Sequence, residues 1–227
     1  MSMAKEPLPP PSNETPKAAI ARLSLYLRQL EALERDGQTT VASKQLGRLL
    51  GLSDAQVRKD LAHFGQFGYP GVGYRVGELQ TVLRGLLGVD RPWRAALVGV
   101  GNLGRALLGY QGFRDRGFHI VALFDRDPNL VGKRVGGLEI RRLDQLTSVV
   151  RAESVELCLI AVPADAAQQA ANAAIEAGVV GILNFAPIAL KLPQRVSVVS
   201  VDLGLQLEHL VFQVNQRLPS KRTQSAG

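Results

Sequence analysis

A glycine-rich turn between a short apolar run and a predicted helix restricts the fold of this chain more than any other feature. Residues 95–98 form the apolar run, and Gly99-Val100-Gly101-Asn102-Leu103-Gly104 follows it directly. In a G-x-G-x-x-G turn, the first glycine permits the tight bend and the second lets the backbone approach a pyrophosphate, while the third lets the helix pack on the strand. The start of the helix predicted at residues 105–110 would supply amide donors for phosphate groups.

The next predicted strand, residues 119–125, ends in an acid that belongs to the same pattern. Asp125 follows Gly104 by 21 residues. A carboxylate at this distance accepts hydrogen bonds from ribose hydroxyls and repels a 2′-phosphate. The two features together predict a Rossmann-like nucleotide site that prefers NADH and NAD+ to the phosphorylated cofactors. A Rossmann-like domain whose site has degenerated is the alternative.

Residues 94–202 alternate apolar runs with helical segments, which predicts an α/β domain with a doubly wound parallel sheet. Further strands are predicted at residues 155–162, 181–185 and 196–201, and a crossover helix at residues 164–177. Ligands of such sheets lie at the carboxyl ends of the strands. The pocket candidates there are Tyr110, Pro163, Ala164, Asn184, Phe185 and Asp202. Cys158, in the middle of a strand, is expected to be a buried small hydrophobe rather than a thiol sensor.

Residues 15–88 are a separate region of short, Leu-rich predicted helices. The first helix has Thr15 as its N-cap and Pro16 as its first residue, and its apolar stripe is Ile20, Leu23, Leu27 and Leu30. The second begins at a Ser43 cap and ends at Gly51, with Leu46, Leu49 and Leu50 facing inward. Ser53 and Gln56 form the capping-box pattern of a third helix. Two short helices joined by a tight turn predict a helix-turn-helix motif.

The third predicted helix has one face for the core and one suited to a DNA groove. Its buried stripe is Val57, Leu61 and Phe64, whereas Ala55, Gln56, Lys59, Ala62 and His63 lie opposite, with Arg58 at the flank. Gln56 can pair with adenine, and Arg58 or Lys59 with guanine or phosphate. An ordinary solvated helix face would have the same composition. A glycine-rich hairpin at residues 65–74 follows and predicts a winged helix, with a plain turn as the alternative.

Composition limits the remaining classes of protein. The net charge of +7 is compatible with nucleic acid but also with a solvated basic surface. A single cysteine excludes an intrachain disulfide framework, and no metal site is expected because the three histidines, His63, His119 and His209, lie far apart. No window has the ~18 apolar residues of a membrane span. Residues 1–14 are Pro-rich, lack the apolar core of a secretory signal and are expected to be disordered, as is the flexible tail at 218–227. We therefore expect a cytoplasmic protein that needs no membrane.

The chain resembles the Rex family of redox-sensing transcriptional repressors, from Pro16 to about Asn215. The resemblance is carried by Ala55-Gln-Val-Arg-Lys-Asp60, Gly71-Val-Gly-Tyr74, the turn at 98–104, Phe124-Asp125, Asp127-Pro128, Val162-Pro163-Ala164 and Gly181-Ile-Leu-Asn-Phe-Ala-Pro187. It implies a homodimer whose winged-helix domains bind a palindromic DNA operator when NAD+ is bound or the ligand is absent. NADH is then expected to release the repressor from DNA.

Particular residues acquire expected roles from the motifs and the resemblance together. The expected cofactor-binding residues are Gly99, Val100, Gly101, Asn102, Leu103, Gly104, Tyr110, Asp125, Val162, Pro163, Ala164, Asn184 and Phe185. The expected DNA-binding residues are Ser43, Lys44, Gln56, Arg58, Lys59, His63, Gly71 and Tyr74. Pro70 stands where many relatives carry a basic wing residue, so a minor-groove contact would depend on Tyr69, Arg75 and backbone amides.

The resemblance also implies a switch that couples Arg28, Tyr110 and Asp202. A C-terminal dimerisation helix at residues 203–217 would be exchanged between subunits, with Leu205, Leu207, Leu210, Val211 and Val214 as its apolar face. The alternative is that Arg28 is only a solvated residue and Asp202 only the N-cap of this helix.

A second hypothesis is an NAD-dependent oxidoreductase with an appended helical domain. No acid–base set is recognisable in the predicted pocket, because His63 lies on the DNA-facing helix, His119 begins a strand and His209 lies on the C-terminal helix. We therefore expect a regulator that is not an enzyme. Persistent NADH consumption would favour the oxidoreductase.

Overall fold

The computed structural model describes residues 17–217. The predicted Thr15 cap, Pro16 and the tails at 1–14 and 218–227 lie outside the described residues. The chain divides into two compact units between Pro92 and Trp93. No helix in the described residues is both long and apolar enough to cross a membrane.

The first unit has the winged-helix arrangement predicted for it. In chain order its elements are α1 (Lys17–Arg35), β1 (Thr40–Val41), α2 (Ser43–Leu50), α3 (Asp54–Ala62), β2 (Gly68–Tyr69), β3 (Gly73–Arg75) and α4 (Val76–Leu87). Strand β3 lies in the middle of a small antiparallel sheet, between β1 and β2. The helix-turn-helix is α2 and α3, and the β2–β3 hairpin is the wing.

The core of this unit differs from the sequence prediction at several positions. Leu23, Leu27 and Leu30 are buried on α1 together with Tyr26, but Ile20 is exposed. On α2, Leu46 is buried whereas Leu49 is exposed. On each helix the predicted stripe is therefore wider than the face that packs on the core.

The helix ends follow the predicted residues with two corrections. Ser43 is the first residue of α2, and Ala42 is its N-cap. Ser53 does cap α3, since its Oγ accepts the Gln56 N–H at 3.1 Å. The capping box is not reciprocal, however, because the Gln56 side chain donates to Asp60 instead. Gly51 ends α2 in the left-handed conformation that glycine adopts most readily.

The second unit is a doubly wound α/β domain, which confirms the predicted fold class. Its elements are β4 (Trp93–Val98), α5 (Asn102–Gly109), α6 (Gln111–Arg114), β5 (Phe118–Asp125), β6 (Arg134–Val135), β7 (Leu138–Arg142), a 3-10 turn (Leu143–Gln145), α7 (Leu146–Ala152), β8 (Leu157–Ile160), α8 (Ala164–Ala177), β9 (Gly181–Asn184), β10 (Ser197–Ser200) and α9 (Leu203–Arg217). The strand order is β10-β9-β8-β4-β5-β7-β6, parallel except for the β6–β7 hairpin. The order reverses at β4, where ligands of such sheets bind.

Alternating side chains of the strands fill a core on each face of the sheet. Ala96, Val98 and Phe124 pack on one face with α7 and α8. Leu97 and Leu123 pack on the other face with Leu108 of α5. The buried side of α8 consists of alanines, which let the helix axis lie close to the sheet.

The predicted bounds of an element agree with the observed bounds where the helical pattern in the sequence is long. The predicted bounds of α8 and α9 match the structure. In contrast, α5 begins at Asn102, inside the glycine motif and three residues before its predicted start, because Gly101 is its extended N-cap. Strand β8 is shorter than predicted, and the β6–β7 hairpin and α7 were not predicted.

Candidate nucleotide site and candidate nucleic-acid interface

The glycine turn joins β4 to α5, and its three glycines lie in different surroundings. A Cβ at Gly99, whose φ is +95°, would lie 2.5 Å from the Ala161 carbonyl oxygen. A Cβ at Gly104 would lie 1.9 Å from the Gly99 carbonyl oxygen. A Cβ at Gly101 would meet nothing within 4 Å. The first and third glycines therefore permit close packing of the protein on itself, whereas Gly101 leaves its open side free for a ligand.

Asp125, at the end of β5, holds this turn in place. Its Oδ2 accepts the Val100 N–H at 2.7 Å, and its Oδ1 accepts the Asp127 N–H at 2.9 Å. A carboxylate has about four lone-pair sites, so capacity remains for ribose hydroxyls. The sequence predicted the ligand role of Asp125 but not its hydrogen bond to the turn.

A cavity of about 330 Å³ lies beside Asp125, at the carboxyl ends of the strands on either side of the reversal. Its size falls in the range of small-molecule pockets. Most of the cavity lining is apolar, and a few of its side chains are charged. The lining residues are Val98, Asp125, Arg126, Pro128, Val131, Arg142, Leu143, Asp144, Val162, Ala166, Gln169 and Ala170. Of these residues, only Asp125 and Val162 were predicted from the sequence to bind the cofactor. Arg142 and Asp144 belong to the unpredicted β7 and the turn after it, so no motif marked them.

Other predicted pocket residues have different surroundings. Pro163 and Ala164 are exposed at the start of α8, where Pro163 is the N-cap. Tyr110, at the end of α5, is exposed and packs edge-to-face on Phe113, with its ring over Gly112. Phe185 is partly buried among the core side chains beneath α5.

Asn184 is a correction to the predicted pocket. It is 0% exposed. Its Nδ2 donates to the carbonyl oxygens of Ala186 and Ile188, and its Oδ1 accepts the Ala186 N–H. The side chain therefore holds the loop after β9 and presents no surface to a ligand.

The predicted switch residues are placed as follows. Arg28 is an exposed residue of α1. The Asp202 Oδ1 accepts the Leu205 N–H at 3.0 Å, so Asp202 caps α9. Tyr110 lies in the same unit as Asp202, and Arg28 lies in the other unit.

The outer face of α3 carries three of the side chains predicted to contact DNA. Arg58, Lys59 and His63 are exposed there. The Arg58 Nη1 donates to Asp54 Oδ2 at 2.8 Å and to Ser43 Oγ at 3.2 Å, which brings the starts of α2 and α3 together. Lys44, next to Ser43, is also exposed. This surface can offer several positive charges and hydroxyl or amide groups to a phosphate backbone.

The inner face of α3 carries a charged residue that sequence reasoning missed. Asp60 is only 5% exposed, and its carboxylate accepts hydrogen bonds from Arg22, Tyr26 and Gln56. Burial by itself would raise the pKa of Asp60, but these hydrogen bonds and the Arg22 charge outweigh it and lower the pKa. The spacing of Asp60 from Val57 and Phe64 on the helix could have placed it on the core side.

The wing contains a second correction. Tyr74 is buried in the core of the first unit, so its side chain is not available to DNA. Gly71 lies exposed at the hairpin tip, with φ +74°. Arg75 donates to Glu78 at 2.9 Å and lies 4.7 Å over the Tyr69 ring, while the Tyr69 hydroxyl donates to the same carboxylate. The wing cation is thus already paired.

We searched residues 17–217 for clustered metal ligands and for an accessible thiol. In that part of the chain, no group of three or more His, Cys, Asp or Glu side chains could hold a metal ion. Cys158 is buried, and burial raises the pKa of its thiol to about 12. As predicted from its place in a strand, it is a core residue.

Comparisons with known proteins cover both units. A family model described as "CoA binding domain" matches residues 90–188, and one described as "Putative DNA-binding protein N-terminus" matches residues 14–62. The redox-sensing transcriptional repressor Rex of Carboxydothermus hydrogenoformans is 50% identical over 88% of this chain and 97% of its own length. The Rex repressor of Streptomyces coelicolor is 43% identical over 88% of this chain and 78% of its own length.

Solved structures of a Rex-family repressor, RSP, have the same fold. RSP in complex with β-NAD+ and operator DNA has a TM-score of 0.86 and 32% identity, covering 91% of this chain and 95% of RSP. RSP in complex with β-NADH has a TM-score of 0.81 and 30% identity, covering 91% of this chain and 97% of RSP. With half of the aligned residues identical to those of a Rex repressor over 88% of this chain, this chain belongs to the Rex family of redox-sensing transcriptional repressors.

Proposed function

We propose that this protein is a DNA-binding transcriptional repressor that senses the NADH/NAD+ ratio in the cytoplasm. It binds a palindromic operator as a homodimer and is released by NADH. One observation carries the proposal: a glycine turn closed by Asp125 beside a 330 Å³ cavity occurs in the same chain as a helix-turn-helix with a cationic outer face. The domain at residues 15–88 would bind DNA, and the domain at residues 94–202 would bind NADH or NAD+.

The residues of the second unit fit a nicotinamide dinucleotide. The open side of Gly101 and the amides at the start of α5 would take the pyrophosphate, and Asp125 would accept the ribose hydroxyls. The cavity beside Asp125 would take the adenine against its apolar wall. Pro163, Ala164, Phe185 and Tyr110 would lie toward the nicotinamide. When bound, the cofactor supplies a ring that is cationic in NAD+ and neutral in NADH, and the protein responds to that difference in charge.

The first unit supplies the contacts to DNA. Helix α3 would enter the major groove, with Gln56 at a base edge and Arg58, Lys59 and His63 at bases or phosphates. Ser43 and Lys44 would contact the backbone from the start of α2, and Gly71 would contribute its amide at the tip of the wing. Because Arg75 is paired with Glu78, the wing would add little positive charge.

The C-terminal helix α9 would form the dimer interface. Large apolar side chains of α9 are exposed along its length, namely Leu203, Leu205, Leu207, Leu210, Val211, Phe212 and Val214. Val198 and Val199 of the edge strand β10 are exposed as well. An apolar surface of this extent is typical of an interface. A second copy of the chain, with α9 exchanged between subunits, would cover it in an isologous contact.

The release mechanism would use Arg28, Tyr110 and Asp202. In the DNA-bound arrangement, Asp202 of one subunit would pair with Arg28 of the other, with Tyr110 near the nicotinamide. A neutral ring in place of a cationic one would break this pairing and change the spacing of the two α3 helices. Half-sites are recognised about one helical turn apart, so a change of a few ångströms would prevent simultaneous docking.

Selection from a randomised palindrome library, followed by titration with each cofactor, tests the proposal. We expect a preferred duplex whose complex dissociates with NADH and persists with NAD+. Failure to select any duplex, or equal responses to NADH and NAD+, would contradict it. Steady NADH consumption with a substrate panel would instead support an oxidoreductase, because a sensor binds NADH without turnover.

A further inference from the structure

Asp60 is a buried carboxylate on the helix proposed to enter the DNA groove, and three side chains surround it. Arg22 of α1 donates to both of its oxygens, from Nε at 2.5 Å and from Nη2 at 2.9 Å. The Tyr26 hydroxyl, also from α1, donates at 2.7 Å. The fourth donor is the Gln56 Nε2, one turn earlier on α3, at 2.6 Å. The carboxylate is therefore held from α1 and cannot rotate freely.

The bond between Asp60 and Gln56 fixes which way the Gln56 amide points. A glutamine amide has a donor end and an acceptor end, and its terminal torsion allows two orientations. An ionised carboxylate can only accept hydrogen bonds. The amino end of Gln56 must therefore face Asp60, and the Oε1 end is turned the other way. Gln56 is only half-buried, so part of its side chain remains accessible.

Gln56 lies where recognition helices usually contact bases. It is the third residue of α3 (Asp54–Ala62), and in helix-turn-helix proteins the N-terminal residues of the recognition helix contact base edges. In the major groove, adenine N6 and cytosine N4 are donors, whereas guanine O6 and thymine O4 are acceptors. An amide with a fixed orientation can distinguish these patterns, but an amide that flips cannot.

We propose that Asp60 is a positioning residue for base recognition, which rests on the proposed DNA-binding function. Held by Arg22 and Tyr26, it fixes the Gln56 amide so that Oε1 is offered as an acceptor to an exocyclic amino group of adenine or cytosine. Asp60 does not touch DNA. It acts through Gln56, and its effect is confined to the base pair that Gln56 contacts.

Binding selectivity of the full-length protein tests this assignment. The probes are the duplex selected from the palindrome library and its symmetric single-base-pair variants. Asp60→Asn is nearly isosteric, but its amide can either accept from or donate to Gln56, so the Gln56 orientation is no longer imposed. We expect discrimination at one base pair to fall about fivefold per half-site, the size of one hydrogen bond, with the other positions unchanged.

A double-mutant cycle separates positioning from a general structural role. In the Gln56→Ala background, Asp60→Asn should cause no further loss of discrimination at that base pair, because the group it orients is already gone. Tyr26→Phe is the matched control: it removes one hydrogen bond to Asp60 but leaves the Gln56 contact, so stability should fall while discrimination is kept. Losses of discrimination that add in full, or a uniform drop for every duplex, would overturn the proposal.

A measurement on the wild type covers the case in which Asp60→Asn does not fold. The Gln56 side-chain amide protons, observed by ¹⁵N NMR in the full-length protein, should exchange more slowly than those of an exposed glutamine. Exchange at the rate of a free side chain would refute the fixed orientation. If the wild type shows no preferred duplex at all, the proposed function fails, and that outcome is distinct from a preferred duplex whose recognition ignores Asp60.

Discussion

Gly101 and Gly104 belong to one turn but differ in what a methyl group would meet. At Gly101 the φ of −72° suits any residue and the space is open, so Gly101→Ala should leave the melting temperature nearly unchanged. NADH affinity should fall at least tenfold, because the methyl group occupies the proposed pyrophosphate position. Gly104→Ala is the matched comparison: its Cβ would overlap the Gly99 carbonyl and should destabilise the fold by more than about 2 kcal/mol.

Thermal unfolding and NADH fluorescence titration of both variants check this prediction. Wild-type NADH affinity in Gly101→Ala would show that the dinucleotide does not approach this glycine.

Asp125 combines two roles that a conservative substitution separates. Asp125→Asn keeps an oxygen that can accept the Val100 N–H, so the turn should persist, but the negative charge near the ribose is lost. The preference for NADH over NADPH should narrow about tenfold, since a 2′-phosphate is no longer repelled. Titration with both cofactors measures the ratio. Asp127→Asn, two residues later, removes an equal charge and should leave the preference unchanged; equal ratios in all three proteins would assign the preference to another residue.

At the scale of an element, α3 should bind DNA through charge on its outer face. Lys59→Ala should lower operator affinity by about 1 kcal/mol and reduce the slope of log K against log salt by about one, as expected for one lost phosphate contact. NADH affinity should not change. Lys191→Ala, an exposed lysine of the second unit, removes the same charge elsewhere and is the control. Operator titrations at several salt concentrations measure this slope. Identical slopes for Lys59→Ala and wild type would show that Lys59 makes no phosphate contact.

Helix α9 carries an exposed apolar stripe, which a second copy of the chain would cover in the proposed dimer. Leu207 is 63% exposed and lies one turn from Leu210 and Val211. Leu207→Glu should weaken the dimer by about 2–3 kcal/mol per subunit, because an apolar contact is lost and a charge is buried. Gln213→Glu adds the same charge on the polar side and should leave the dimer intact. Sedimentation velocity gives the oligomeric state, and an unchanged dimer in Leu207→Glu would place the interface elsewhere.

At the scale of the whole molecule, the response to NADH depends on a difference in affinity between two arrangements. Asp202 has a charge for the proposed pairing and an oxygen that caps α9. Asp202→Asn keeps the cap acceptor and removes the charge, so NADH should still bind while its effect on operator affinity falls at least tenfold. Asp202→Ala, which loses both, should in addition destabilise α9 by about 1 kcal/mol.

Operator anisotropy with and without saturating NADH measures that coupling. Full NADH-driven dissociation of Asp202→Asn would rule out the charge mechanism and leave Asp202 as a helix cap.

Features that depend on neighbouring residues could be predicted from the sequence. The glycine turn, the acid that ends β5 and the bounds of α8 and α9 follow from backbone geometry and from apolar periodicity over a few turns. The Ser53 cap and the left-handed Gly51 are equally local. These features establish the doubly wound sheet and the helix-turn-helix.

The partners of individual polar side chains were decided by residues distant along the chain. Asp60 is buried against Arg22 and Tyr26 of α1, 38 and 34 residues earlier, and its helical spacing from Val57 indicates the core side without identifying these partners. Asn184 and Tyr74 were predicted to bind ligands, but both are buried. A hydrogen-bonding group can serve a ligand or the protein interior with the same side chain, and only the packing of the surrounding elements determines which of the two is in reach.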